Sequence, residues 1–389
     1  MRILLSCLQS VRHHSLPAYD FWRPYFVNAC AEAGIECVEV PGLDWAEGLA
    51  HPPDEDLDRW REYTWETVLA FVRKEKESRP IDCFLGYLYP KQVEVGAIAT
   101  LQDWGIPCVN FFCDNVREFD KVPAEYHPFA LHWVPEFEAL PMYRSAGLPH
   151  LHAPMPCWVP PQLRSVPVAE TEPPTFIGSA DLLRRALLGQ ALQAGAKLEI
   201  RGVGWGLRDE ARKANTAERG LPELLYNQVA YVRAHGSKAL YRKLEDRLLP
   251  IDLPPIDDVF VKTPVSPDDY VRITREAVVT LGINRVPSAR ASNRRPLTYS
   301  RLRDMEAPML GACYLTEWTA GIGELYELGE EVETYRTSEE LVFKLGELTR
   351  NLARRKLMRQ RAQHRALTDH AAVRSLLRIG ARLGLEPSS

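Results

Sequence analysis

The stretch Leu297-Thr-Tyr-Ser-Arg-Leu-Arg-Asp-Met-Glu-Ala-Pro-Met-Leu-Gly-Ala-Cys-Tyr-Leu-Thr-Glu-Trp-Thr-Ala-Gly-Ile-Gly-Glu324 decides the fold. Its spacing predicts a helix over Ser300–Leu310 that ends at Gly311, a short buried strand over Cys313–Thr316, and a Gly-rich loop. A second helix is expected over Gly323–Leu328, then a strand over Val332–Tyr335 and a helix over Ser338–Leu352. The loop Thr319–Gly323 can offer unpaired backbone N–H groups at a helix start, a natural seat for a diphosphate. Glu306 falls on the first helix and Glu324 at the start of the second.

The same alternation runs upstream. Strands are expected at Thr175–Ile177, Lys197–Arg201 and Ala277–Ile283, with a helix over Asp181–Gln193. Ser266-Pro-Asp-Asp269 opens a further helix with a capping-box pattern. Residues 207–260 resist placement, apart from a helix around Lys238–Leu248. The N-terminal half alternates too. Strands at Arg2–Leu8, Ile35–Val40, Asp82–Tyr87 and Cys108–Cys113 are separated by helices over Tyr19–Ala33, Asp56–Lys76 and Gln92–Trp104. Continuous apolar strands between helices indicate parallel sheets covered on both faces. Prolines cluster at 154, 156, 160, 161, 167, 173 and 174 and mark a linker. The expected organisation is one domain over 1–160, a second over 170–365 and a helix in 366–389. The fold class is α/β, with two Rossmann-like doubly wound domains facing a central cleft.

Composition excludes several classes. The chain has 389 residues, 46% hydrophobic and 26% charged, with a net charge of −4. That balance argues against a dedicated nucleic-acid binder. No apolar run reaches membrane-spanning length, and the start reads as a strand rather than a signal peptide, which points to the cytoplasm. The eight cysteines are scattered, without metal-ligand spacing. Between Arg350 and Arg382, ten Lys or Arg face one acid, Asp369, which leaves an acidic body of about −13. Leu352, Leu357, Leu367, Leu376 and Leu377 are the expected inward face of this tail. The basic face is then either solvated or attracted to an anionic membrane or phosphorylated acceptor.

The run Arg303-Asp-Met-Glu306-Ala, Gly311-Ala-Cys-Tyr-Leu-Thr316, Gly321, Glu324-Leu-Tyr, Gly329-Glu-Glu and Glu340-Leu resembles the donor domain of GT-B glycosyltransferases. The group it is most similar to is the one named for spore-maturation proteins, akin to the group-1 transferases. His370-Ala-Ala-Val-Arg374 resembles that group's closing helix, which implies that the helix in 366–389 crosses back to the first domain and that this domain, 1–160, is the acceptor-binding one. Phe176-Ile-Gly-Ser179 and Arg201-Gly-Val-Gly-Trp205 resemble its earlier strand ends. The resemblance implies a nucleotide-sugar donor, an acceptor hydroxyl or amine, and no metal or other cofactor. It implies that Glu306 binds the nucleotide ribose. Many relatives carry a second Glu eight positions earlier that touches the sugar; here that position is Thr298.

The remaining candidates follow from position. Gly321 and Gly323 are the phosphate-loop residues, with Glu324 as a donor contact. Arg303 and Arg201 are candidate clamps for the leaving diphosphate. Gly202 and Gly204 would let the nucleotide base approach the backbone, with Trp205 either beside it or packed in the core. Asn284 and Arg285 end a strand where ligands sit. His13 and His14 follow the first strand, where the resemblance implies a general base that takes the acceptor proton. Asp114 ends the fourth strand and could orient that base or bind the acceptor. Two other functions suit the same residues: a nucleotide-sugar epimerase or hydrolase, and a non-catalytic nucleotide-sugar-binding protein.

Overall fold

A computed structural model describes residues 1–14, 22–51, 54–167, 169–205 and 237–385. The chain divides into two compact units, Met1–Val159 with Thr368–Ser389, and Pro160–Leu367. Each holds one six-stranded sheet in which every neighbouring pair is parallel.

The first sheet comprises β1 (Arg2–Ser6), β2 (Glu36–Val38), β3 (Cys83–Tyr87), β4 (Cys108–Phe111), β5 (Leu131–Val134) and β6 (His150–His152), in the order β2-β1-β3-β4-β5-β6. Every residue of β3, β4 and β5 is buried, the polar Asn110 and His132 included, as befits central strands covered on both faces. The helix Glu55–Glu75 starts at Asp54, whose carboxylate accepts from the N–H groups of Asp56 and Leu57. It buries Leu57, Trp60, Thr64, Trp65, Val68 and Val72, one stripe at helical spacing. Within this unit the C-terminal helix Ala372–Leu383 packs on the helix Trp22–Glu32 and buries Leu376 and Ile379. The expected start of the Trp22 helix, and the chain end at 386–389, lie outside the described residues.

The second sheet comprises β7 (Thr175–Ile177), β8 (Glu199–Arg201), β9 (Val261–Lys262), β10 (Thr280–Gly282), β13 (Tyr314–Glu317) and β14 (Glu333–Tyr335). Between β10 and β13 lies an antiparallel hairpin, β11 (Arg285–Val286) with β12 (Leu297–Thr298), which periodicity does not reveal because its strands are two residues long. The sheet order is β9-β8-β7-β10-β13-β14. Chain order therefore reverses between β7 and β10, and in open α/β sheets ligands bind outside the carboxyl ends of the strands at that point. The expected helix near Lys238 spans Ser237–Leu248. Residues 206–236, the rest of the stretch that resisted placement, are outside the description.

The tail differs from expectation. The helix Leu352–Arg365 turns Arg355, Met358, Arg359, Ala362 and Gln363 inward, while Leu352 and Leu357 are exposed. The cause is Glu170, whose carboxylate pairs with Arg355 at 2.6 Å and Arg359 at 3.2 Å. Arg359 also donates to the backbone carbonyls of Arg275 and Gly311, both at 2.8 Å. Arg354 pairs with Glu333 at 2.5 Å, and Arg361 with Glu330. Four of the tail's basic groups therefore have internal counter-charges. Among the described residues no helix is long and apolar enough to cross a membrane.

Candidate functional site

The carboxyl end of β7 is a concentration of arginine. The helix Leu182–Gln193 follows β7 after Gly178-Ser-Ala-Asp181, and Asp181 caps it by accepting from the N–H of Arg184. Arg184 Nη1 donates to the Ser179 carbonyl at 2.9 Å, and Arg303 Nη1 donates to the Ile177 carbonyl. Both guanidinium carbons lie 5.9 Å from the centre of the Phe176 ring. Burial pushes the Arg184 guanidinium below its ordinary value; Asp181 opposes this, and the charges of Arg301 and Arg303 add to it. Arg184 also sits in the first turn of its helix, where the backbone dipole disfavours a cation. Mutual repulsion, desolvation and the dipole are all relieved by a bound polyanion.

The helix Arg303–Met309 joins this cluster to the core. Asp304 is fully buried and accepts five hydrogen bonds. These come from Asn284 Nδ2 at 3.0 Å, Ser300 Oγ at 2.9 Å, Arg301 N–H at 3.1 Å, the Tyr314 hydroxyl at 2.8 Å and Thr316 Oγ1 at 2.9 Å. Burial raises the Asp304 carboxyl above its ordinary value, and the donors hold that rise back without cancelling it. Asn284, a candidate ligand contact in the sequence, is used inside this network. The same helix carries Arg303 and Glu306. The Tyr270 hydroxyl donates to Glu306 Oε2, and the Arg303 guanidinium lies 5.6 Å from the Tyr270 ring centre. Arg303, Glu306 and Tyr270 thus form one half-buried group beside the exit of β7.

A cavity of about 760 Å³ opens in the same unit. Arg285, Thr298, Glu317, Trp318 and Arg336 line it, with Leu183 and Ala186 from the Arg184 helix on one wall. Glu317 Oε1 accepts from Arg285 Nε at 2.8 Å and Nη2 at 2.6 Å. Its Oε2 accepts from the N–H groups of Asn284 at 3.1 Å and Arg285 at 2.9 Å.

Other sequence candidates are placed differently. Arg201 pairs with Glu199 at 2.7 Å and Glu172 at 3.3 Å, so its charge is already matched. Trp205 is buried; its indole donates to the Gly178 carbonyl at 2.7 Å and meets the Phe176 ring edge-on, so of its two expected places it takes the core. Gly202 has φ +143°, and a Cβ there would lie 2.2 Å from the Gly178 carbonyl oxygen. The glycine serves backbone approaching backbone. Gly204 has φ +83°. Gly321 precedes a helix of only four residues, Ile322–Leu325, which also carries Gly323 and Glu324 on its exposed side. So short a helix has little dipole to offer a diphosphate.

In the first unit, chain order reverses between β1 and β3. Leu8, just past β1, is buried with φ +61°, a strained value for a branched side chain. His13 is exposed; His14 is half-buried, with Nε2 2.9 Å from Asp44 Oδ2. Asp44 Oδ2 also accepts from the N–H groups of Val11 and Arg12, and Oδ1 accepts from Glu47 N–H. Burial opposes ionisation of Asp44, but the hydrogen bonds from His14 and Glu47 outweigh it and lower the carboxyl below its ordinary value. The carboxylate that meets His14 is Asp44 and not Asp114, which stands before the short helix Asn115–Glu118. Beside it, Glu136 is buried and accepts from Asn115 N–H at 2.8 Å. Burial pushes its carboxyl up to about 8.

Sequence reasoning missed Arg184, Tyr270, Asp304 and Asp44. Arg184 carried a readable signal, a cation in the first turn of a helix. Asp44 and Tyr270 carried none, because their partners lie 30 and 36 residues away.

A family model described as glycosyl transferase-like matches residues 184–379. No curated protein matches the chain. Solved structures of similar fold include sucrose-phosphate synthase from Thermosynechococcus elongatus, at TM-score 0.59 and 12% identity over 98% of each chain. Anabaena Alr3699/HepE, in complex with UDP and glucose, matches at TM-score 0.55 and 13% identity over 99% of each chain. A putative UDP-N-acetylglucosamine 2-epimerase from Listeria monocytogenes matches at 0.52 and 12%, over 99% of this chain and 98% of that one.

Proposed function

This chain belongs to the glycosyl transferase-like family, and on that premise we propose that it moves a sugar from a nucleoside-diphosphate donor to an acceptor hydroxyl or amine. Its two six-stranded parallel sheets are those of the GT-B fold. The observation that carries the proposal is the arginine cluster at the carboxyl end of β7, with Glu306 three residues beyond Arg303. A diphosphate seated there meets Arg184 and Arg303. As the bond to the anomeric carbon breaks, charge builds on the leaving phosphate, and guanidinium groups held before the reaction stabilise it. Glu306, oriented by Tyr270, accepts from the ribose hydroxyls. With arginine in this role the transfer needs no metal, and chelation with EDTA is expected to leave the rate unchanged.

In the first unit, Asp44 accepts the Nε2 proton of His14 and so fixes the tautomer with Nδ1 as the proton acceptor. His14 takes the acceptor proton as the oxygen attacks. Asp44, rather than Asp114, is the orienting carboxylate. Within the family, the run from Arg303 to Glu340 supports a place in the spore-maturation-protein group.

The test is calorimetric titration with UDP, GDP and their sugars. Micromolar binding that Glu306→Ala weakens tenfold or more supports the reading. Absence of binding by any of them refutes it. The likeness to the Listeria epimerase favours a second reading, an epimerase of the same fold. Incubation with donor alone separates the two, because only an epimerase changes the sugar without an acceptor.

A further inference from the structure

The cavity beside the arginine cluster is roofed by two insertions. One is the segment Pro250–Asp252, which follows the helix Ser237–Leu248; the other is the loop of the β11–β12 hairpin, with Asn293, Arg294 and Pro296. The two are tied together. Asn293 N–H donates to Asp246 Oδ1 at 2.8 Å, Arg294 Nε to the Leu249 carbonyl at 3.1 Å, and Arg242 Nη1 to the Ala289 carbonyl at 3.1 Å. The floor is made by the exits of β13 and β14, where the Arg336 guanidinium stacks on Trp318 at 3.4 Å.

The chemistry of the lining is lopsided. Arg285, Arg294 and Arg336 face Glu317 and Asp252. Glu317 accepts four hydrogen bonds from Asn284 and Arg285, so Glu317 and Arg285 match each other's charge and the guanidinium groups left to meet a ligand are those of Arg294 and Arg336. Asp252 is exposed. Neutral sugars present hydroxyls, which carboxylates and amides grip as acceptors. This cavity instead supplies guanidinium donors, whose planar fork matches a carboxylate. Thr298, a neutral residue, lies directly opposite Arg285 across the hairpin and adds no carboxylate to the lining.

The cavity shares structural elements with the donor grip. Leu183 and Ala186 on its wall share a helix with Arg184, and Asn284, next to Arg285, bonds to Asp304 on the helix of Arg303 and Glu306. We propose that this cavity receives the sugar end of the donor and selects a sugar bearing a carboxylate, a hexuronic acid. The proposal rests on the nucleotide-sugar reading of the neighbouring cluster.

The experiment compares matched donors that differ only in that carboxylate, UDP-glucose with UDP-glucuronate and GDP-mannose with GDP-mannuronate, by calorimetry on the full chain. The expected result is at least tenfold tighter binding of the uronate in one pair. The ratio should fall to threefold or less in Arg336→Ala and Arg294→Ala, with Arg336→Lys between. Both arginines are exposed, so an unchanged melting temperature checks that the variants fold. Uronate binding equal to or weaker than the neutral partner, while UDP or GDP still binds, overturns this proposal and leaves the transferase reading standing. A uronate preference that survives both substitutions overturns the assignment to this cavity. Failure of every nucleotide to bind overturns both readings.

Discussion

Nε2 of His14 lies 2.9 Å from Oδ2 of Asp44, in a loop whose backbone N–H groups at Val11 and Arg12 converge on the same oxygen. Asp44 therefore shapes the loop and aims the imidazole together. His14→Ala is expected to lower the transfer rate about 10²–10⁴-fold, the usual worth of a general base, while donor affinity stays the same. Asp44→Asn should lower kcat at least tenfold with little change in donor KM. Because its folded carboxyl is depressed, Asp44 contributes stability above the ordinary aspartate range and loses it as pH falls through the depressed value. Acid unfolding of the variant compared with the parent checks this.

The donor grip makes a separate prediction. A charge-assisted hydrogen bond contributes roughly 1.5–3 kcal/mol. Arg184→Ala and Glu306→Ala should therefore each weaken nucleoside-diphosphate binding about tenfold to a hundredfold. Calorimetry with the diphosphate alone separates them further. Loss of Arg184 should blunt the salt dependence of binding, whereas loss of Glu306 should not. Equal affinity in a folded Arg184→Ala variant would remove that residue from the site.

Gly202 tests the backbone beneath the site. An added Cβ meets the Gly178 carbonyl oxygen at 2.2 Å on a backbone with φ +143°. Clash and strain together should make Gly202→Ala destabilising by roughly 2–5 kcal/mol. Denaturant unfolding measures the loss directly. Gly323→Ala, with only Leu328 near at 3.9 Å, should be close to neutral for stability.

Glu136 predicts a pH dependence of opposite sign to that of Asp44. Burial holds its carboxyl at about 8, far above the ordinary glutamate value, while hydrogen bonds from Asn115 only partly oppose this. A raised folded value means the native state binds the proton more tightly. The stability it contributes is complete below the unfolded value near 4.5 and disappears as pH climbs through about 8. Glu136→Gln should flatten the fall in melting temperature between pH 5 and 8. An unchanged slope would show that Glu136 does not titrate in that range.

Much of this was legible in the sequence. Runs such as Cys83–Tyr87 and Cys108–Phe111 announce central parallel strands, and Asp54 announces the helix it caps. The Arg303–Glu324 stretch announced the helix that carries Arg303 and Glu306. The sequence could not say which polar residues face inward. Asp304 and Glu306 are two positions apart, yet one is the hub of a buried network and the other is half-buried against Tyr270. Arg355 and Arg359 look like a solvated basic face until Glu170, more than 180 residues away, is folded against them. Helical periodicity assumes leucine inside and arginine outside, and one half-buried carboxylate, Glu170, reversed that order.

The hairpin and the Pro250 segment are ties between insertions rather than parts of the sheet, whereas Arg184, Arg303 and Glu306 stand on elements anchored in the core. The helix of Arg303 and Glu306 is bound into the Asp304 network, whereas the roof is held at its tethers. If the proposed donor site is right, donor choice should behave as a cassette. Transplanting residues 237–262 and 285–298 from one member of the fold to another should carry the preferred sugar along, while the nucleotide stays that of the host.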